Sequence, residues 1–251
     1  MTRTITLSYS LICYLAFNAV FIYLAGFLLE IGVPKTINSG VAGHWFPALA
    51  INLGLIALFG ATHSIMARDW FKQWLTRLLP EVAERSTFVL QASLFLALAI
   101  WQWQPMPHTI WQADGVAALV FYALFGVGAV LLLWSTFLID HFELFGLRQS
   151  WHYLRGVPMP QPEFNTPALY RIVRHPMQLG VMIMFLATPH MTVGHFLFAS
   201  LMIGYIFIGL YFEERSLVRA FGDEYRAYQA HVPMLIPTFR QLSSPLVKSV
   251  R

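Results

Sequence analysis

The chain has 251 residues, of which 57% are hydrophobic and only 11% charged, with a formal net charge of +4. Soluble domains carry about a quarter charged residues, so this deficit and a mean hydropathy of +0.60 exclude soluble, disordered and collagen-like classes and point to an integral membrane protein. The one cysteine, Cys13, lies in an apolar run, which excludes a disulfide framework and a thiolate zinc site. The basic residues sit in short loops rather than one tract, a sign of membrane topology and not of nucleic-acid binding.

A bilayer core of about 30 Å takes roughly 20 apolar residues per helix. Residues 4–29, 41–66, 86–113 and 115–139 each suit one span. The apolar run of the first exceeds a signal-peptide core and precedes no convincing small-residue cleavage site, so it reads as a retained helix. Residues 176–212 form an uncharged stretch of 37 residues, about 55 Å as one helix and too long for a single crossing. Thr188-Pro189-His190-Met191-Thr192-Val193-Gly194 breaks it in the middle, which predicts a helical hairpin with one short arm. Charge supports the hairpin: it leaves Lys35 alone outside and 15 basic residues inside, whereas a single span would put 7 outside and 9 inside. The expected architecture is all-α and integral to the membrane, with four full transmembrane helices plus a C-terminal hairpin, five to six membrane segments in one domain over 1–251. Both termini are expected in the cytoplasm. Trp101, Trp103 and Trp111 then fall in an outer aromatic belt, and His190 and His195 at the outer interface.

This topology gathers four polar clusters at one depth on the cytoplasmic side: His63 and Arg68; Asp140, His141, Glu143 and Arg148; Arg171, Arg174 and His175; and Glu213, Glu214 and Arg215. Ionisable groups near membrane depth are costly and mark functional sites, although each arginine also reads as an interfacial anchor and His63 as a helix-end hydrogen bonder. A carboxylate beside an imidazole, Asp140-His141, is the hardest to explain as packing. Past Glu213-Glu214, Gly222 allows one helix to end and another to begin, placing Tyr225 and Tyr228 at i, i+3. Two aromatics and a glutamate pair suit a cationic, aromatic-bearing ligand; an amphipathic tail on anionic lipid is the alternative. His63, His141 and His175 lie at one depth, but their spacing specifies no metal.

Arg174-His175-Pro176, Gly180, the apolar hairpin, Glu213-Glu214, Leu217, Phe221-Gly222, Tyr225, Tyr228, Val232 and Ile236-Pro237 resemble the isoprenylcysteine carboxyl methyltransferase superfamily over about residues 170–238. Those residues would form the methyltransferase core, and residues 1–169 would supply the substrate-side helices and clusters. Ala61-Thr62-His63-Ser64, Glu84-Arg85-Ser86-Thr87, Trp101-Gln102-Trp103, the run from Phe137 through Asp140-His141 to Gln149, and Ala187-Thr188-Pro189 resemble more narrowly the bacterial membrane-bound methanethiol S-methyltransferases, over most of the chain. One departure is Gln178, where the superfamily often has a tyrosine two residues after the Arg-His-Pro proline; Tyr170 or Tyr225 would have to supply the missing contact.

The resemblance implies an enzyme of the bacterial inner membrane that methylates methanethiol to dimethyl sulfide with S-adenosylmethionine at a site facing the cytoplasm. Its partners would be a small thiol and membrane lipid, with no obligate protein partner. It implies further that Arg174, His175, Glu213, Glu214, Tyr225 and Tyr228 surround the cofactor. A thiol is mostly protonated at pH 7, so His141 or His63 is expected to take its proton, with Asp140 orienting the imidazole and Arg148 or Arg174 favouring the thiolate. A same-fold enzyme acting on an isoprenylcysteine carboxylate or a lipid, and a non-catalytic membrane protein of the nitric-oxide-response type, remain the alternatives. Residues 156–167, with Pro158, Pro160, Pro162 and Pro167, read as a cytoplasmic lid or as a plain connection.

Overall fold

The computed structural model describes residues 1–161 and 164–237; Pro162 of the proline-rich stretch and Arg240, Lys248 and Arg251 of the charge argument lie outside them. Among the described residues, five helices are long and apolar enough to cross a membrane. Four are α1 (Arg3–Leu29), α2 (Trp45–Met66), α4 (Glu84–Gln102) and α5 (Gly115–Leu138). The fifth, α9 (Val193–His231), is preceded by the short apolar α8 (Pro176–Leu186), and the expected hairpin is therefore present with its short arm first. Pro176 starts α8, where its missing N–H has no helical partner to lose. A small helix α3 (Asp69–Leu75) follows α2, and α6 (His141–Leu144) and α7 (Leu147–Arg155) follow α5.

Two elements depart from the expected pattern. The third apolar stretch stops being helical at Gln102, because Pro105 and Pro107 follow and the residue before a proline is driven out of the helical region. Residues Thr109–Gln112 instead form a strand, β1, antiparallel to β2 (His190–Thr192) in the hairpin turn. Backbone bonds extend the join, with Val193 N–H donating to His108 O at 2.8 Å and Gly194 N–H to Met106 O at 3.0 Å. The chain that leaves α4 is thereby pulled inward, and Trp103 is fully buried rather than part of an aromatic belt, whereas Trp101 is exposed. His195 is buried as well, not interfacial, with Nε2 3.1 Å from the carbonyl of Phe185. His190 holds Glu30 at 2.8 Å, tying the end of α1 to the turn.

Apolar side chains gain little by leaving lipid for each other, so a membrane bundle is held by close packing and by internal polar bonds. At the strand end of the bundle the Phe198 ring meets Trp103, Phe185 and Phe27 at 5.3, 5.6 and 6.1 Å. Asn52 of α2 both donates to and accepts from Gln104 at 2.9 Å. At the opposite end Ser10 of α1, Ser86 of α4 and Ser150 of α7 form a buried hydroxyl chain at 2.5 and 2.7 Å. That joins the first helices to the segment following α5 and sets up the end of the bundle where the ionisable residues collect.

Candidate functional site

The uncharged part of α9 ends at Phe212, so Glu213 and Glu214 stand just past its membrane-spanning portion. Glu214 is the centre of a clasp. Its Oε1 accepts from Arg174 Nε at 2.9 Å, His175 Nε2 at 2.6 Å and the Tyr225 hydroxyl at 2.9 Å, and its Oε2 accepts from Gln229. Arg174 donates also to the carbonyls of Gln229 and Val232, at 3.2 and 2.6 Å. Backbone bonds from Arg174 and His175 to Pro233 and Met234 complete the attachment. Burial alone would raise the Glu214 carboxyl, but bonds from Gln229, His175, Arg174 and Tyr225 outweigh it and hold the group at about 2. The clasp thus fastens the segment after α9 onto the start of α8.

Gly222 makes this return possible. Its φ of 57° and ψ of −127° break α9 into two helices, a conformation open to glycine and strained for other residues. Beyond the break Tyr225 and Tyr228 pack together at 5.6 Å, and Phe164 closes on them and on Phe221 at 5.3 to 5.8 Å. The stretch after α7 therefore reaches across the site. Tyr228 donates to the carbonyl of Tyr170, and burial pushes both phenols up, so they remain donors at neutral pH. Gly222→Ala is expected to cost about 1–3 kcal/mol at this φ and to displace the aromatic group, read as a lower Tm.

Glu213 is placed differently. Its side chain is 46% exposed, accepts from Gln178 at 3.2 Å and lies 4.0 Å from His175 Nδ1. Gln178, at the position of the expected tyrosine, thus positions a carboxylate that keeps accepting capacity. Arg85 faces the same space, interacting electrostatically with Glu84, Glu213 and Glu143, and also with His63. Its guanidinium bonds the Leu144 carbonyl through Nε at 2.7 Å. In the sequence Arg85 stands out only through the Glu84-Arg85-Ser86-Thr87 resemblance, and the fold sets it among three of the polar clusters.

The two candidate imidazoles differ in what holds them. His141 is buried on the ring of Phe137, 4.3 Å away and nearly parallel. Its Nδ1 lies 2.8 Å from Thr136 Oγ1, whose own hydrogen goes to the Leu133 carbonyl, so Nδ1–H is the donor there. Nε2 then accepts from the Tyr14 hydroxyl at 2.8 Å. Burial pushes this imidazole below its usual value; it is neutral, with both nitrogens engaged. Asp140 does not orient it. Asp140 caps α6 by accepting from Glu143 N–H at 3.0 Å and pairs with Arg148, and the pair faces a separate cavity of about 450 Å³ lined by Leu7, Trp151 and His152. Adjacent residues point apart here because Asp140 has a left-handed backbone, φ 84°. His63 has the opposite character. It is packed by Phe88 at 4.6 Å and Phe59 at 5.6 Å, and its buried Nδ1 has no hydrogen-bond partner among the described residues.

Fold and site together define an all-α, multi-pass membrane protein whose charged residues gather at one end of the bundle, where the segment after Gly222 folds back onto the start of α8. The chain is 47% identical over 238 residues to the Methanethiol S-methyltransferase of Mycobacterium tuberculosis, covering 94% of this chain and 98% of that protein. It is 45% identical over 235 residues to Methanethiol S-methyltransferase 2 of Bradyrhizobium diazoefficiens, covering 94% and 91%. Nurim of Sus scrofa is 26% identical over 193 residues, covering 70% and 73%. No family model and no solved structure matches. The chain belongs to the methanethiol S-methyltransferase family.

Proposed function

We propose that the chain converts methanethiol to dimethyl sulfide with S-adenosylmethionine at the polar end of the bundle, which faces the cytoplasm of a bacterial cell. The observation that carries this reading is a buried imidazole nitrogen, His63 Nδ1, with no hydrogen-bond partner among the described residues, beside the Arg85 guanidinium and at the same end of the bundle as Glu213. The side chains suit the cofactor. Glu213 keeps accepting capacity for a cation, and the rings of Phe164, Phe221, Tyr225 and Tyr228 offer faces for a sulfonium or an adenine. Arg174, His175 and Glu214 engage one another and frame that space. When bound, S-adenosylmethionine supplies an electrophilic methyl group, the bond to which breaks with its electron pair remaining on the sulfonium sulfur.

The protein's task is then to hold a thiol, take its proton and keep water out. His63 Nδ1 accepts the proton as the sulfur forms its new bond to carbon, and Arg85 offsets the charge that the sulfur carries meanwhile. His141 has neither nitrogen free, because Nδ1–H is given to Thr136 and protonating Nε2 would break its bond from Tyr14. A sealed-vial assay of detergent-purified protein with S-adenosylmethionine and methanethiol, read as headspace dimethyl sulfide, tests the reading. Product is expected from the wild type, and His63→Ala should lower turnover by about 10²–10⁴-fold, the worth of a general base, with cofactor binding retained. Near-normal turnover in that variant would remove His63 from the mechanism, and no product from folded, cofactor-binding wild type would remove the reaction.

A further inference from the structure

We propose that Gln91 is the second polar group of the thiol-binding site, donating an amide N–H to the substrate sulfur opposite His63. This rests on the methyl transfer proposed above. Both atoms of the Gln91 amide, Nε2 and Oε1, are buried without a hydrogen-bond partner among the described residues. Gln91 lies on α4 three residues after Phe88 and four before Phe95, so these side chains share one face of the helix. Phe95 packs against the bundle core, and Phe88 is the ring 4.6 Å from His63. That face therefore carries Gln91 into the interior, one turn deeper than the His63 imidazole.

The neighbouring polar groups already have partners. The Tyr205 hydroxyl is bonded to Ser64 at 3.1 Å, Thr62 donates to Leu58 and Phe59 carbonyls, and Ser93 donates to Val89. His63 Nδ1 and the Gln91 amide have no hydrogen-bond partner among the described residues, as is also true of Trp103 Nε1, His195 Nδ1 and Gln149 Oε1 elsewhere in the fold. An amide with neither end bonded weakens a membrane bundle, where no bulk water compensates it. A ligand held between the two helices would complete it. The remaining walls are the rings of Phe59, Phe88 and Tyr205, with Gly60 letting the Tyr205 ring approach so closely that a Cβ there would lie 3.0 Å from it. Aromatic edges attract sulfur, and an imidazole nitrogen on one helix with an amide N–H on its neighbour matches an S–H that must become a sulfide. The chemistry fits a small neutral thiol. During reaction the S–H proton passes to His63 Nδ1 while the Gln91 N–H stays on the sulfur.

Gln91→Leu and the more flexible Gln91→Met, both close to glutamine in volume, test the assignment. Either should raise KM for methanethiol by up to about tenfold, the loss expected when a hydrogen bond to the bound thiol is removed, while the dissociation constant for S-adenosylmethionine is unchanged. Ligand-free protein supplies an independent readout. Removing an unbonded amide should raise its Tm, by roughly 2–4 °C, whereas removing a structural hydrogen bond would lower it. Unchanged KM in variants that fold and bind cofactor, or a lowered Tm with a matching loss of all activity, would overturn the role of Gln91 and leave the proposed reaction standing. Wild-type protein that binds cofactor yet yields no dimethyl sulfide would overturn the reaction and this role with it.

Discussion

Glu214→Ala is expected to abolish dimethyl sulfide formation and to weaken S-adenosylmethionine binding by at least about a hundredfold. The carboxylate is 12% exposed and accepts from four side chains on two segments, Arg174 and His175 before α8 and Tyr225 and Gln229 at the end of α9. Removing one partner of a buried charged network leaves the others unsatisfied, at about 3–5 kcal/mol. Here the orphaned guanidinium and imidazole would also lose what fixes them beside Glu213. Glu214→Gln should fail nearly as badly, because an amide has one accepting oxygen where the carboxylate uses two, and its NH2 would face existing donors. The sign with pH follows from the lowered carboxyl. A group held at about 2 in the fold and near 4.5 when unfolded contributes stability that is fully present above 4.5 and is lost as pH falls toward 2. Thermal scans in detergent should therefore show a Tm contribution that persists from pH 8 to 5 and declines below 4.5, and in Glu214→Ala that decline should be reduced. Binding by calorimetry separates loss of cofactor from loss of fold.

The membrane helices were readable because a span depends on length and absence of charge, quantities a sequence displays directly. The 37-residue uncharged stretch 176–212 and its Pro/Gly interruption thus marked the α8 and α9 hairpin, and Gly222 marked the break that turns the last helix back. What was not readable depended on direction. Asp140 and His141 are neighbours in sequence, yet one caps a helix toward Arg148 and the other packs beneath Tyr14, since a left-handed residue separates their paths. Strands of four and three residues, β1 and β2, are too short to show alternation, and with them went the burial of Trp103. Hydropathy passes over Gln91 because it is uncharged and sits among apolar residues. Arg85 was visible only through the resemblance at Glu84-Arg85-Ser86-Thr87, and its relation to Glu213 and Glu143, which lie far from it in the chain, comes from the fold. The glutamate pair was visible, but the division between them, Glu214 engaged and Glu213 with accepting capacity, arises from the chain folding back at Gly222.

Gly180→Ala should be the most damaging small change within the membrane. Gly180 of α8 and Gly128 of α5 face each other so closely that a Cβ on Gly180 would lie 2.6 Å from the Gly128 carbonyl oxygen and 2.8 Å from Leu132 N, while one on Gly128 would lie 2.7 Å from the Gly180 carbonyl. The obstructing atoms are backbone, so the helices must separate. A glycine-to-alanine change in a helix interior ordinarily gains about 1 kcal/mol, but overpacking of this kind costs about 1–3 kcal/mol or more, and close van der Waals contact is what holds membrane helices together. The cost should win, lowering Tm by roughly 5 °C. Gly204→Ala in α9 is the control, since nothing lies within 4 Å of its Cβ, and its Tm should stay level or rise. The consequence reaches the site because α8 begins at Pro176, immediately after Arg174 and His175. Shifting α8 by a fraction of an ångström lengthens bonds of 2.6 and 2.9 Å to Glu214, so Gly180→Ala should lose cofactor affinity along with stability. Gly128→Ala should do the same, and the double variant should be less than additive, because the first methyl has already opened the gap that the second needs.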